Sequence, residues 1–315
     1  MTPLAEILRD QIRRDGPIPF RTFMEVALYH PEYGYYRRDR FGRAGDFFTA
    51  GQLQPVFGRI VARHLESWRS RIGEPFQVIE LGAGRAEVAP SLATFDYLPV
   101  DLDRGALPAS FRGVVFSNEF FDALPVDRVF CRDGRIVEAR VGWQEGFVWK
   151  DGTEADDRTR EYLSRYVPHF ETSAEIHWAA VEWIERIARS LSAGVHIAID
   201  YGYTARESLR FPDGTLMSYR RHQASPDVLD SPGERDLTAH VAFDALIEYG
   251  ARAGLEWVSL GTLAQFTLDA GRDDEFAAVL GGDTQLRQQL KTLLFGMGES
   301  FRVLIQRKSD VSPPR

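Results

Sequence analysis

The residues with the clearest chemistry lie in the stretch Gln77-Val78-Ile79-Glu80-Leu81-Gly82-Ala83-Gly84-Arg85-Ala86-Glu87. Gly82 and Gly84 let the backbone come close to a ligand, and the amides of a helix expected from Arg85 onward point at whatever anionic group lies there. A nucleotide-like ligand is the natural occupant. A dinucleotide fingerprint wants a third glycine three positions after Gly84, and Glu87 stands there instead, which counts against NAD. Glu80, two residues before Gly82 at the end of a buried strand, suits a cationic ligand better than a pyrophosphate; the ammonium and sulfonium of S-adenosylmethionine are such cations. Asp101 lies nineteen residues beyond Gly82, after a second strand, where an acid takes the two ribose hydroxyls. The plainer alternative is an ordinary strand, turn and helix with solvated acids.

The elements that must position these groups follow from periodicity. Apolar stripes predict helices between about residues 3 and 30, interrupted at Gly16-Pro17-Ile18-Pro19, and an amphipathic helix from Val56 to Trp68. Between them, His30 to Thr49 is too rich in turn formers for a helix and too aromatic for a free linker. Two readings stand for it: a packed loop, or a lid with Phe47 or Tyr35 facing a cation. After the glycine turn a short helix is expected from Glu87 to about Thr94. The interval from Asp101 to Gly113 is too short for another helix and strand, so the sheet is expected to be trimmed at one side. Val126 to Lys150 alternates as an antiparallel insertion. A helix is expected over Ala174 to Leu191, then a buried strand from Val195 to Gly202, in which His196 reads as a packed residue and not a ligand. Residues 205 to 240 form a long polar connection. Beyond it come helix, strand, broken helices and a last strand from Phe301.

Composition narrows the class. Acidic residues (46) outnumber basic ones (38), and the Lys and Arg are scattered, so no nucleic-acid partner is expected. No apolar run matches a bilayer span, and early Glu6, Asp10 and Asp15 are unlike a targeting peptide, so a cytoplasmic protein without membrane contact is expected. The single cysteine, Cys131, excludes internal disulfides and thiolate metal clusters and reads as passive.

Six ordered signatures then support a family resemblance. They are Phe23-Met24-Glu25 with Tyr33-Gly34-Tyr35-Tyr36; Gly45-Asp46-Phe47-Phe48-Thr49; Glu80-Leu81-Gly82-Ala83-Gly84-Arg85; Ser117-Asn118-Glu119-Phe120-Phe121-Asp122-Ala123-Leu124-Pro125; Asp200-Tyr201-Gly202-Tyr203; and Asp236-Leu237-Thr238-Ala239-His240-Val241. Together they resemble the MidA family of class I S-adenosylmethionine-dependent methyltransferases, whose mitochondrial members are arginine methyltransferases assisting assembly of respiratory complex I. The resemblance implies an α/β fold: a Rossmann-like doubly wound sheet with an N-terminal helical region and an antiparallel β insertion. It divides the chain into a helical and lid region over 1–57, a methyltransferase domain over 58–308 with insertions at about 126–170 and 205–240, and a frayed tail over 309–315. S-adenosyl-L-methionine is the implied cofactor and a protein the implied substrate. Glu80, Gly82, Gly84, Asp101, Asn118, Asp46 and Thr49 are assigned to the cofactor, and Phe47, Tyr35, Asp200, Tyr201 and His240 to the substrate. The family's turn ends in glycine where this chain has Ala86; if that slot needs a positive φ, its Cβ costs on the order of 1 kcal/mol.

Arginine sets the chemical demand. Its guanidinium stays protonated near neutral pH, so its nitrogens are poor nucleophiles. Two carboxylates can grip it bidentately, draw charge onto the bound nitrogens and take up the released proton. Glu119 and Asp122, three apart after a strand, are the expected catalytic pair. Two other readings remain: an inactive methyltransferase-fold protein that binds a partner, and a small-molecule methyltransferase with a closed apolar pocket.

Overall fold

The computed structural model describes residues 1–37, 50–221 and 223–309, and they group into two compact units. One comprises Thr49–Phe120, Val181–Gly202 and Leu246–Arg315. Its centre is a sheet whose strands run in the spatial order Glu256–Thr262, Phe301–Lys308, Leu191–Tyr203, Phe111–Asn118, Gln77–Leu81, Asp96–Val100. The last four are mutually parallel, and Phe301–Lys308 runs antiparallel to both of its neighbours. Central parallel strands are covered on both faces and read as continuous apolar runs. Accordingly Val78, Ile79, Glu80 and Leu81 are all buried in the strand Gln77–Leu81. Asp96–Val100 closes the sheet on its side, matching the short interval after Asp101.

Against this sheet lies the helix Val56–Ile72, which buries Val56, Phe57, Ile60, Val61 and Leu65 along one stripe and ends at Gly73 in a left-handed conformation. Its stripe shares a core with Val78, Val114, Phe116, Val195 and Ile197 from the strands and with Leu263 and Phe266 from the helix Leu263–Ala270.

The other unit comprises Met1–Phe48, Phe121–Ala180 and Tyr203–Ala245, so both insertions group with the N-terminal region. The helices Pro3–Asp15 and Phe20–Tyr29 bury Leu4, Leu8, Phe20, Phe23 and Met24 against Val126, Val141, Leu216 and Leu237 from the insertions. The first insertion is antiparallel: Arg135–Trp143 pairs with Asp127–Arg132, with Phe147–Glu154 and with the two-residue Ile18–Pro19. Within the second insertion, Gln223–Ser225, Met217–Arg220 and Asp236–Thr238 form a second small sheet.

Two local expectations are corrected. The helix expected over Glu87 to Thr94 is only the 3-10 turn Ala89–Leu92. Positive φ at Gly84 and Ala86 interrupts any run from Arg85, and Pro90 has no N–H with which to continue an α-helical ladder. The helix expected from Ala174 begins at Trp178, because Ser173–Ile176 pairs with Asp127–Phe130 and tertiary pairing overrides the helical period. Within the first insertion, Asp157–Tyr166 is a helix capped by Asp156, whose side chain accepts from Thr159 N at 2.8 Å. No helix among the described residues is long and apolar enough to cross a membrane.

Buried histidines give this fold an acid limit. His196 is fully buried, its Nδ1 3.3 Å from Gln306 Oε1, and burial pushes its pKa down to about 4; burial does the same to His177. The unfolded chain takes up these protons below about pH 6.5 and the folded chain only near 4, so stability falls as pH drops through that window. Denaturant unfolding between pH 7 and 4 should show this loss, at most about 1.4 kcal/mol per pH unit for each such histidine. His196→Asn should reduce the slope by that amount; an unchanged slope would show that His196 is not the titrating group.

Candidate functional site

At the end of the strand Gln77–Leu81 the chain turns through Gly82 (φ 66°), Gly84 (φ 48°) and Ala86 (φ 57°). A Cβ at Gly84 would meet no atom within 4 Å, so what holds this position to glycine is its backbone angle beside open space. Gly82 is tighter: a Cβ there would come 2.9 Å from Phe120 Cδ2. The turn is tied down from the neighbouring strand. Gly84 N donates to Asp101 Oδ2 at 2.5 Å, Arg104 Nη2 donates to Gly84 O at 2.8 Å, and Ala83 N donates to Val100 O at 3.2 Å. Asp101 and the glycine turn are therefore in direct contact.

Glu80 lies beneath this turn, 6% exposed, and accepts a hydrogen bond from the Tyr97 hydroxyl. Burial raises its pKa to about 7, while Tyr97 and Arg104 favour the charged form and Glu87 and Asp101 oppose it. A carboxylate balanced this near neutrality is held ionised by any cation placed beside it. An open glycine turn with an acid beneath it and a second acid at its side fits S-adenosylmethionine, which carries an ammonium and a sulfonium and whose ribose offers two hydroxyls.

The next parallel strand, Phe111–Asn118, ends in a second left-handed turn, with Glu119 at φ 52°. Glu119 Oε1 accepts from Asn118 Nδ2 at 3.0 Å and from Ala50 N at 3.2 Å. Its own amide donates to Ile199 O at 2.9 Å. Phe120 stands edge-on to Trp183, ring centroids 5.1 Å apart. Asp200, expected at the substrate, is fully buried and accepts from the amides of Phe120 (3.2 Å) and Tyr201 (2.9 Å). That corrects the expectation: its carboxylate holds backbone. Tyr201 packs on Phe301, ring centroids 3.9 Å apart.

Three expected residues belong to the other unit. Asp122 is 4% exposed there, and its carbonyl accepts from Ala239 N at 3.0 Å. Tyr35 is 1% exposed within the core of the N-terminal helices, which gives it a packing role in place of the substrate contact expected. His240 stands edge-on to Phe211 and lines a cavity of about 560 Å³ with Arg128, Phe130 and Thr215; burial lowers its pKa to about 4, so the ring is neutral at physiological pH. Asp46, Phe47 and Thr49 lie outside the described residues. Sequence reasoning missed Tyr97 and Arg104. For Arg104 a signal existed, since Asp101-Leu102-Asp103-Arg104-Gly105 has turn composition and Asp101 N donates to Arg104 O at 2.8 Å.

Comparison with known proteins agrees with this geometry. Residues 91–261 match a family described as "Putative S-adenosyl-L-methionine-dependent methyltransferase". A Burkholderia thailandensis protein crystallised with S-adenosyl-homocysteine superposes with a TM-score of 0.88 at 30% identity, over 98% of this chain and 92% of that one. The mitochondrial protein arginine methyltransferase NDUFAF7 homolog of Drosophila melanogaster is 28% identical over 76% of this chain and 68% of its own length. The human mitochondrial protein arginine methyltransferase NDUFAF7 is 26% identical over 92% of this chain and 78% of its own.

Ala86 carries the strain anticipated for a Cβ in this slot. An L-residue in the left-handed region costs about 1–2 kcal/mol, more than the 0.4–1 kcal/mol that glycine forfeits through the unfolded chain. Ala86→Gly is therefore expected to raise stability by roughly 0.5–1 kcal/mol in thermal unfolding. A lowered Tm would contradict the strain.

Proposed function

The chain belongs to the MidA-like family of S-adenosyl-L-methionine-dependent methyltransferases, and from that premise we propose that it methylates an arginine side chain of a protein. S-adenosylmethionine is its cofactor and supplies an activated methyl group. The relatives named as protein arginine methyltransferases support the choice of acceptor, and the family resemblance links the modification to assembly of a protein complex.

The observation that carries this reading is Glu119. It is a carboxylate fixed in a left-handed turn at the carboxyl end of a central parallel strand, in the same unit as the glycine turn. Ligands of open α/β sheets sit at that end of the strands. Gly84, Asp101 and Glu80 would hold the cofactor: the open backbone would let it approach, Asp101 would take the ribose hydroxyls, and Glu80 would face the ammonium. Asn118, bonded to Glu119, orients that carboxylate.

Methyl transfer to nitrogen is an in-line displacement, so most of the enzyme's contribution is positioning. Glu119 binds the guanidinium by charge-assisted hydrogen bonds, turns one nitrogen towards the methyl and raises its nucleophilicity by drawing positive charge to the opposite edge. It then receives the proton that the methylated nitrogen releases.

Glu119→Gln keeps the shape of the side chain and removes its charge. On arginine-containing peptides it should lower kcat by about 10²-fold or more, with S-adenosyl-homocysteine affinity unchanged. Methyl incorporation located by mass spectrometry checks this. A wild-type rate in the variant would remove Glu119 from its role, and methylation of free small molecules alone would overturn the protein-arginine assignment.

A further inference from the structure

Glu119 occupies a backbone region that an L-residue enters at a cost, and such strain persists only where surrounding bonds over-determine it. Beside the bonds from Asn118 and Ala50 to its side chain, main-chain bonds come from a neighbouring strand. Phe111–Asn118 and Leu191–Tyr203 pair in parallel up to Asn118 opposite Ile199. One residue later Glu119 N still donates to Ile199 O at 2.9 Å. At the next residue the main chain stops supplying the acceptor and a side chain does: Phe120 N donates to Asp200 Oδ2 at 3.2 Å. The other oxygen of the same carboxylate accepts from Tyr201 N at 2.9 Å. The side chain of Asp200 is fully buried, where an ionised carboxylate persists only when hydrogen-bond donors surround it.

From this arrangement we propose that Asp200 is a positioning residue for methyl transfer. Its carboxylate sets the point at which the chain leaves the sheet after Asn118, and by fixing the Phe120 amide it holds Glu119 in the left-handed conformation that aims its side chain. The proposal rests on the reading of Glu119 as the acceptor-binding carboxylate. The same clamp places the Phe120 ring against Gly82, where a Cβ would collide with Cδ2, so one buried carboxylate fixes both the acceptor-binding acid and a wall of the glycine turn. Asp101 and Arg104 hold Gly84 separately, which leaves cofactor affinity largely independent of Asp200.

Asp200→Asn retains one acceptor and turns an N–H toward the second amide, so one of the two bonds is lost. Four full-length proteins test the consequence: wild type, Asp200→Asn, Glu119→Gln and the double variant. Asp200→Asn should lower kcat on an arginine peptide by an amount on the order of 10- to 10²-fold, the cost of misplacing a reacting group, with S-adenosyl-homocysteine affinity within about 3-fold of wild type. If Asp200 acts through Glu119, the double variant is no slower than Glu119→Gln alone. Losses that multiply would overturn the proposal, as would a wild-type rate in Asp200→Asn beside a slow Glu119→Gln. A wild-type rate in Glu119→Gln defeats the acceptor-site reading and with it the catalytic half of this proposal.

Thermal unfolding tests the clamp without reference to activity. Glycine adopts a positive φ freely, so Glu119→Gly removes the strain that Asp200 opposes. Asp200→Asn should then lower Tm by more in the Glu119→Gly background than in wild type, where strain released with the clamp offsets part of the loss. If Asp200→Asn alone does not fold, Asp200→Glu takes its place in both backgrounds. Equal Tm losses in both backgrounds, or a larger loss in wild type, would overturn the clamp.

Discussion

Two adjacent parallel strands, Gln77–Leu81 and Phe111–Asn118, must each turn sharply at their carboxyl ends, and the candidate site depends on that constraint. Leu81 pairs with Ser117, so the two turns leave the sheet side by side, and both enter the left-handed region within two residues. Gly82 meets that requirement at no steric cost, whereas Glu119 meets it as a charged L-residue. A glycine would be cheaper after Asn118. The side chain kept there is the strongest sign that the turn serves chemistry.

The bonds around the two turns differ in kind. Main-chain atoms of the glycine turn are held by the side chains of Asp101 and Arg104, which leaves the outer face of Gly84 open. In the Glu119 turn the head group is held as well, by Asn118 and the amide of Ala50. One turn keeps backbone accessible to a ligand and the other fixes a carboxylate, the division of labour that methyl transfer between a bound cofactor and a cationic acceptor requires. Beneath both, Glu80 stays buried with a pKa near 7, so its charge responds to what binds above it.

How much of this was legible in the sequence follows from the range of the forces involved. Gly82 and Gly84 announce themselves because positive φ is written into residue type, and Asp101 because strand and turn lengths in α/β sheets vary little. The sheet strands were readable from continuous apolar runs. Local periodicity failed where distant partners decide. Ser173–Ile176 looks helical with its successors and becomes a strand through Asp127–Phe130, and Tyr35 looks like an aromatic lid residue until the N-terminal helices bury it. Asp200 is assigned to the substrate from its sequence position, whereas its carboxylate accepts from the amides of Phe120 and Tyr201. An acid at a strand end is visible in sequence, but whether it faces a ligand or an amide 80 positions away is fixed by the pairing of strands.

The open backbone of Gly84 beside Asp101 is where the cofactor is expected to bind. Calorimetric titration of the purified protein with S-adenosyl-homocysteine, beside Gly84→Val, tests it most directly. Valine combines a β-branched side chain with an unfavourable φ and projects into the space that the turn keeps open. Binding on the order of micromolar in the wild type, lost in a Gly84→Val variant that still unfolds cooperatively, is the result expected. Equal affinity in both proteins would place the cofactor away from the glycine turn.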